Sequence, residues 1–180
     1  MVFHIGANQK QDIGTGIGNM SSDALGITGI QVTSNGLANE AIGIGIECHS
    51  KLISDEQVRR LLDSAPAIRF LNLADTDISD NALCDLNCVP ELCAVNLWGT
   101  RVGNLGLRRL AKLRNLEDLH LACTEITDDG LRLLADVRTL QELDLCNTAV
   151  TDAGLEWLGG LDGLRELRLE NTSVTGKGVG

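Results

Sequence analysis

The chain has 180 residues, of which 43% are hydrophobic, and this is enough for one domain with a core. A net charge of −10 argues against a nucleic-acid partner, which would need a basic face. No run approaches the roughly 18 apolar residues of a membrane span, and residues 1–12 lack the features of a signal peptide. We therefore expect a cytoplasmic protein that binds neither nucleic acid nor membrane, with free thiols at its cysteines.

The first 66 residues are rich in Ile and Gly and form either a cap or degenerate repeats. Residues 32–37 (VTSNGL) resemble residues 150–155 (VTDAGL), where a helix is predicted to start. Residues 52–62 (LISDEQVRRLL) resemble the helical half of a later repeat and follow a strand-like segment. We favour repeats on these grounds. The Gly-rich residues 14–18 (GTGIG) lack the Lys and Ser/Thr of a phosphate loop, so no nucleotide site is expected.

Residues 67–180 contain five regular repeats, the last of them incomplete. They begin 24 residues apart, at Ile68, Leu92, Leu116, Leu140 and Leu164. A pattern in constant register over five units indicates a building unit, since a catalytic motif would occur once.

Each repeat changes periodicity along its length. Its first, fourth and sixth residues are apolar, a spacing that ends in strict alternation and predicts a short strand with one buried face. Later apolar residues recur every third position, as in Leu131, Leu134 and Val137, which predicts one face of a short helix. The sequence therefore predicts alternating strands and helices.

The start of each predicted helix is marked by a hydroxyl residue followed by an acidic one. Thr127 is suited to cap its helix, and so are Ser54, Ser79 and Thr151. The carboxylates that follow, such as Asp128, would lie beside the positive end of the helix dipole. The second repeat has Gly103 at this position, so its helix should be less well capped.

One such repeat buries too little apolar surface to fold alone and must stack on its neighbours. Stacked strands lie about 4.8 Å apart, whereas packed helices need about 8 to 10 Å. We therefore predict a curved α/β solenoid, with parallel strands on its concave face and short helices on its convex face.

Residues 116–131, LEDLHLACTEITDDGL, resemble the leucine-rich repeat pattern, and the continuation is similar to the short bacterial and cysteine-containing classes. In that family the ninth residue ties neighbouring turns through backbone hydrogen bonds. Threonines hold this position here, namely Thr76, Thr100, Thr124, Thr148 and Thr172. The resemblance implies a right-handed solenoid that binds proteins and is not an enzyme.

The residues that point outward from the strands are the candidates for partner binding. Trp98 is the leading anchor, because exposed aromatic residues are enriched at interfaces. Several carboxylates share this face, so we expect a protein partner with a basic surface and a salt-sensitive affinity. The candidates are Phe70, Asn72, Asn96, Trp98, Asp118, His120, Glu142, Asp144, Glu166 and Arg168.

A metal or catalytic site is a weaker hypothesis for the same face. His120, Asp144, Cys123 and Cys146 would lie near one another, but side chains on neighbouring strands point in parallel, whereas metal ligands must converge. We expect no cofactor and no enzymatic activity.

Two other functional hypotheses remain open from the sequence. The repeats could be the substrate-recognition segment of an F-box-like ubiquitin-ligase component, or a purely structural array. The last repeat stops where its helix should begin, so we expect either an incomplete sequence or self-association through an uncapped C-terminal end.

Overall fold

The computed structural model of this chain describes residues 2–4, 30–36, 42–48 and 51–175. Within these residues the backbone forms one eight-stranded sheet in which the strands lie in sequence order. The strands are β1 (Val2–His4), β2 (Ile30–Gly36), β3 (Ile42–Cys48), β4 (Ile68–Asn72), β5 (Ala94–Asn96), β6 (Asp118–His120), β7 (Glu142–Asp144) and β8 (Glu166–Arg168).

Short helices connect the strands from β3 onward. The α-helices are α1 (Asp55–Ser64), α2 (Asn104–Leu110), α3 (Asp128–Leu134) and α4 (Asp152–Leu155), and 3-10 helices span Asp80–Leu83 and Glu156–Gly160. Strands β3 to β8 are parallel, and from β4 onward each residue pairs with the residue 24 positions later. This confirms the predicted solenoid of parallel strands and short helices.

The N-terminal strands differ from the pattern that we favoured. Residues 32–37 resemble the helix start at residues 150–155, but β2 covers residues 30–36 and pairs antiparallel with β1 and β3. The segment at 52–62 does behave as predicted, since α1 follows β3 and β3 pairs parallel with β4. The Gly-rich residues 14–18 lie outside the described residues. The division of the chain at residue 67 stays a prediction.

A single apolar core runs between the sheet and the helices, from Ile46 to Leu161. The first, fourth and sixth residues of each repeat form the sheet side of this core. The apolar residues that recur every third position along the helix form the other side. Leu119 on the sheet and Leu131 on a helix, for example, are both fully buried. Burying each such side chain stabilises the fold by about 1.5 to 3 kcal/mol, so the stacked repeats stabilise one another.

The predicted helix caps are confirmed at three positions and wrong at one. Ser54 forms a reciprocal capping box with Gln57, and Ser79 and Thr151 accept hydrogen bonds from backbone N–H groups two residues later. Gly103 gives its helix no side-chain cap, as expected. Thr127 makes no cap bond, and its hydroxyl accepts instead from the Asn104 amide of the preceding repeat, at 2.8 Å.

The acidic residue after each cap position binds the next repeat, a role that the helix-dipole argument did not predict. The Asp128 carboxylate accepts hydrogen bonds from the backbone N–H of Thr151 (2.8 Å) and from its hydroxyl (2.7 Å). Asp55 binds Ser79 in the same way, and Asp152 binds Thr175. We call this series of contacts the inter-repeat ladder; its members are Asp55, Asp80, Asn104, Asp128 and Asp152.

Three of the recurring glycines are needed because the ladder passes beside them. A Cβ built on Gly154 would lie 2.3 Å from Oδ1 of Asp128, and one built on Gly130 would lie 2.4 Å from Oδ1 of Asn104. A Cβ built on Gly106 would lie 2.6 Å from Oδ1 of Asp80. Glycine at these three positions therefore permits the close approach of neighbouring repeats.

The ninth-position threonines act within their own repeat. Each hydroxyl donates to the carbonyl of the leucine three residues earlier, as from Thr76 to Leu73 and from Thr148 to Leu145, both at 2.6 Å. The connection between neighbouring turns comes instead from backbone groups, such as the Leu97 N–H that donates to the His120 carbonyl. The side-chain tie between turns that the family resemblance implied is therefore replaced by a tie within the turn.

Candidate partner-binding surface

The outward residues of the strands form two rows in register across the repeats. In the first row Phe70, Ala94, Asp118, Glu142 and Glu166 are successive partners. In the second, Asn72, Asn96, His120, Asp144 and Arg168 are successive partners. We call these two rows, together with Trp98, the sheet face. All ten predicted candidates lie on it, and their role in binding stays a prediction.

Trp98 is the largest exposed apolar group of the sheet face, with 45% of its surface accessible. The corresponding residues of the two neighbouring repeats are Ala74 and Ala122, whose side chains are too short to cover an indole. The Trp98 backbone is held on both sides, because its N–H donates to Asn96 Oδ1 and its carbonyl accepts from the Asp75 N–H. An aromatic group is thus presented from a fixed backbone.

Three polar candidates also stabilise the turn that follows their strand. The side-chain oxygens of Asn72, Asn96 and Asp144 each accept from the backbone N–H two residues later, at 3.0 Å. This is the local bond typical of Asn and Asp at turns. Substituting any of the three would alter the turn as well as the surface.

The carboxylates of the first row repel one another. Asp118 lies directly beside Glu142 on the next strand, and Glu142 lies beside Glu166. Partial burial raises the pKa of Asp118, and the nearby charges of Glu142 and Glu117 raise it further, while His120 opposes the shift. Like charges directly opposite on a sheet are destabilising, so this arrangement is not explained by the stability of the fold.

Arg168 forms salt bridges with carboxylates only at the C-terminal end of the sheet face. Its guanidinium lies 2.5 Å from a Glu166 oxygen and 3.8 Å from an Asp144 oxygen. Among the described residues, the salt bridges do not include Asp118 or Glu142. Asp118 and Glu142 thus carry negative charge without a salt-bridge partner among the described residues, on the same face as the exposed Trp98.

Comparison with known families agrees with this geometry. A family model described as "Leucine Rich repeat" matches residues 112–135 and 138–159, which cover β6 with α3 and β7 with α4. These two repeats therefore match the leucine-rich-repeat family. No curated protein matches the chain by sequence.

Three solved structures resemble parts of this chain at low sequence identity. An internalin from Listeria monocytogenes is 18% identical, with a TM-score of 0.46 and coverage of 63% of this chain and 38% of its own. A pollen receptor kinase 3 is 19% identical, with a TM-score of 0.45 and coverage of 76% and 73%. A plant peptide hormone receptor, RGFR1 in complex with RGF2, is 16% identical, with a TM-score of 0.40 and coverage of 68% and 27%. The chain thus spans well under half of the internalin and of the hormone receptor.

Not every outward position of the repeats is accessible. Ala94, Ala122 and Cys146 are only 4%, 3% and 8% exposed. Cys123, in contrast, is exposed.

The metal hypothesis for His120, Asp144 and Cys146 gains no support. Within the described part of the chain, no three His, Cys, Asp or Glu side chains are grouped so that they could hold a metal ion. Burial raises the pKa of the Cys146 thiol, which disfavours the thiolate that a metal or a nucleophilic mechanism would require.

Two other exposed features lie away from the sheet face. Trp157 is 43% exposed and its ring lies 5.2 Å from the Arg132 guanidinium, a cation–π contact with the preceding repeat. Its ring therefore lies against the preceding repeat. Leu52, 89% exposed, borders an open crevice of about 590 Å³ between Lys51 and Arg101.

The helices of the described residues are short. None of them is long and apolar enough to cross a membrane.

Proposed function

We propose that the sheet face binds a protein partner that carries basic side chains, with Trp98 as the anchor. The observation that carries this proposal is an exposed indole on the same face as Asp118 and Glu142, two carboxylates that form no salt bridge among the described residues. Leucine-rich-repeat proteins are typically protein-interaction modules, and the location of the binding surface on this chain is our inference.

The chemistry of the surface supports a basic partner. A Lys or Arg of the partner could pair with Asp118 and Glu142 and relieve the repulsion between them. A second cation of the partner could lie over the Trp98 ring, an interaction worth about 0.5 to 2 kcal/mol. The backbone hydrogen bonds that hold Trp98 and Asn96 reduce the conformational entropy lost on binding.

The anchor can be tested with peptides displayed from a random library and selected on the immobilised chain. Peptides rich in Lys or Arg should be enriched, and Trp98→Ala should weaken their binding by tenfold or more. Trp157→Ala is the matched control, because Trp157 is about equally exposed but lies on the helix side. Equal loss in both variants, or enrichment without basic residues, would contradict the proposal.

The charge can be tested separately with Glu142→Gln. The selected peptides should bind this variant more weakly, and raising the salt concentration should reduce binding to the parent more than to the variant. Glu125→Gln is the control, since Glu125 is exposed outside the sheet face. An affinity that is independent of salt would remove the electrostatic part of the proposal.

We further propose that the protein acts without a cofactor and in the cytoplasm. All six cysteines are free thiols in the structure, which fits a reducing compartment. Fractionation of cells that express the tagged protein would test its location, and recovery from the secreted fraction would contradict it.

A further inference from the structure

The second repeat differs in charge from the rest of the chain. Its residues, 92–115, include no Asp or Glu, although the chain as a whole has a net charge of −10. The repeat contains five cations, namely Arg101, Arg108, Arg109, Lys112 and Arg114. The repeat pattern does not require them, since the residues equivalent to Lys112 in the first and third repeats are Cys88 and Asp136.

Helix α2 directs part of this charge away from the core. Its buried residues are Gly106, Leu107 and Leu110. Residues three, four and seven positions apart share one face of a helix, so Leu105, Arg108 and Lys112 lie together on the opposite side. The helical turn extends to Lys112, because its N–H donates to the Arg109 carbonyl at 3.1 Å.

These outward side chains are accessible, and their charges are unpaired. Leu105 is 50% exposed, and Arg108, Lys112 and Arg114 are exposed as well. None of these three cations forms a salt bridge in the described part of the chain. The other two cations of the repeat each donate to a backbone carbonyl of the first repeat. We call Leu105, Arg108, Lys112 and Arg114 the α2 patch.

The exposed leucine among the cations discriminates between kinds of anionic partner. A nucleic acid would contact the cations through its phosphates, but the acidic remainder of the chain would repel it and Leu105 would stay uncovered. An acidic peptide supplies carboxylates for the cations and can also cover Leu105 with an apolar side chain. In the third repeat the residues equivalent to Leu105 and Lys112 are Asp129 and Asp136, both exposed, so the attraction is confined to the second repeat.

We propose that the α2 patch binds an acidic segment of a partner protein, with an apolar side chain of that segment packed on Leu105. Arg108 and Lys112 lie on the same side of α2 as Leu105 and pair with carboxylates that flank the apolar side chain. The helices and the sheet face lie on opposite sides of the core. The contact therefore does not depend on the proposed function of the sheet face.

The test uses two labelled peptides of Asp and Glu that differ at one central position, which is Leu in one and Ser in the other. In fluorescence anisotropy with the full chain, the Leu peptide should bind about tenfold more tightly, as expected for partial burial of one leucine side chain. Leu105→Gln should abolish this preference. Arg108→Glu should weaken the binding of both peptides by about tenfold or more at physiological salt.

Matched controls separate the patch from net charge and from folding. Arg165→Glu changes the net charge as Arg108→Glu does, at an exposed position outside the patch, and should alter both affinities by less than about twofold. Circular dichroism should show parent-like spectra for every variant.

Several outcomes would overturn the proposal. They are a preference for the Leu peptide that survives Leu105→Gln, equal weakening by Arg165→Glu, and a dissociation constant of the parent above about 1 mM for both peptides. Tighter binding of single-stranded RNA than of the Leu peptide would mean that the patch binds nucleic acid. Oligomers of the parent that Arg108→Glu disperses, detected by light scattering, would mean that a second copy of the chain occupies it.

Discussion

Replacing Gly154 with alanine should destabilise the protein, although the same change usually stabilises a helix. Alanine is favoured over glycine inside a helix by about 1 kcal/mol. Here the new methyl group would lie 2.3 Å from Oδ1 of Asp128 and 3.1 Å from a methyl carbon of Leu131. The Asp128 carboxylate must move, and it holds both the N–H and the hydroxyl of Thr151.

The size of the effect follows from these two hydrogen bonds. A hydrogen bond to a charged group contributes about 1.5 to 3 kcal/mol. Loss of both would cost about 3 kcal/mol or more, and the gain in helix propensity offsets about 1 kcal/mol of this. We expect a net loss of about 2 kcal/mol, concentrated at the contact between the third and fourth repeats.

Urea unfolding followed by tryptophan fluorescence measures this loss locally. In a Trp98→Phe background the remaining tryptophan is Trp157, which lies three residues from Gly154. Gly159→Ala is the matched control, because nothing lies within 4 Å of a Cβ at Gly159. That variant should match the parent or be slightly more stable.

A double-mutant cycle identifies the cause of the loss. In an Asp128→Ala background the carboxylate is absent, so adding the Gly154 methyl group should cost much less than in the parent. An unchanged cost in that background, or a Gly154→Ala variant as stable as the parent, would refute the reasoning from the inter-repeat ladder.

Three further changes test other parts of the structure. Cys123 has a left-handed backbone (φ +57°), so Cys123→Gly should raise the free energy of unfolding by about 1 kcal/mol, whereas Cys123→Ala should give no such gain, in urea titrations. Because the pKa of Asp118 is raised in the folded state, its charge disfavours folding above its pKa, and Asp118→Asn should stabilise by up to about 1 kcal/mol at pH 7. That gain should shrink as the pH falls toward the ordinary aspartate pKa of about 3.9 and disappear below about pH 3, where Asp118 is protonated in both states. A gain independent of pH would contradict the assignment. Thr148→Val should cost about 1 to 3 kcal/mol in thermal unfolding, because the Leu145 carbonyl loses its hydroxyl donor, and a neutral result would mean that this bond contributes little.

A left-handed backbone conformation recurs in every repeat, and the sequence analysis did not predict it. The eighth residue of each repeat is left-handed, at Asp75, Gly99, Cys123, Asn147 and Asn171. Asp, Asn and Gly tolerate this conformation better than other residues, so the residue type indicates it at four of the five positions. Cys123 interrupts this pattern, because cysteine has no preference for the left-handed conformation.

The sequence alone determined the architecture of the repeats. A constant spacing of 24 residues and the change from strand to helix periodicity leave one solution, since a repeat can bury its apolar residues only by stacking in register. The same alternation placed all ten surface candidates on the sheet face. These properties depend on distances along one chain, which a sequence displays directly.

The tertiary structure decided the contacts between repeats. Asp128 looked like part of its own helix start, yet it binds Thr151 in the next repeat, and Gly154 is required because of that carboxylate. The antiparallel pairing of β2 and the burial of Ala122 likewise depend on neighbours that local patterns do not specify. A hydrogen bond or a covered methyl group is set by the distance between residues of different repeats, and only the folded chain fixes that distance.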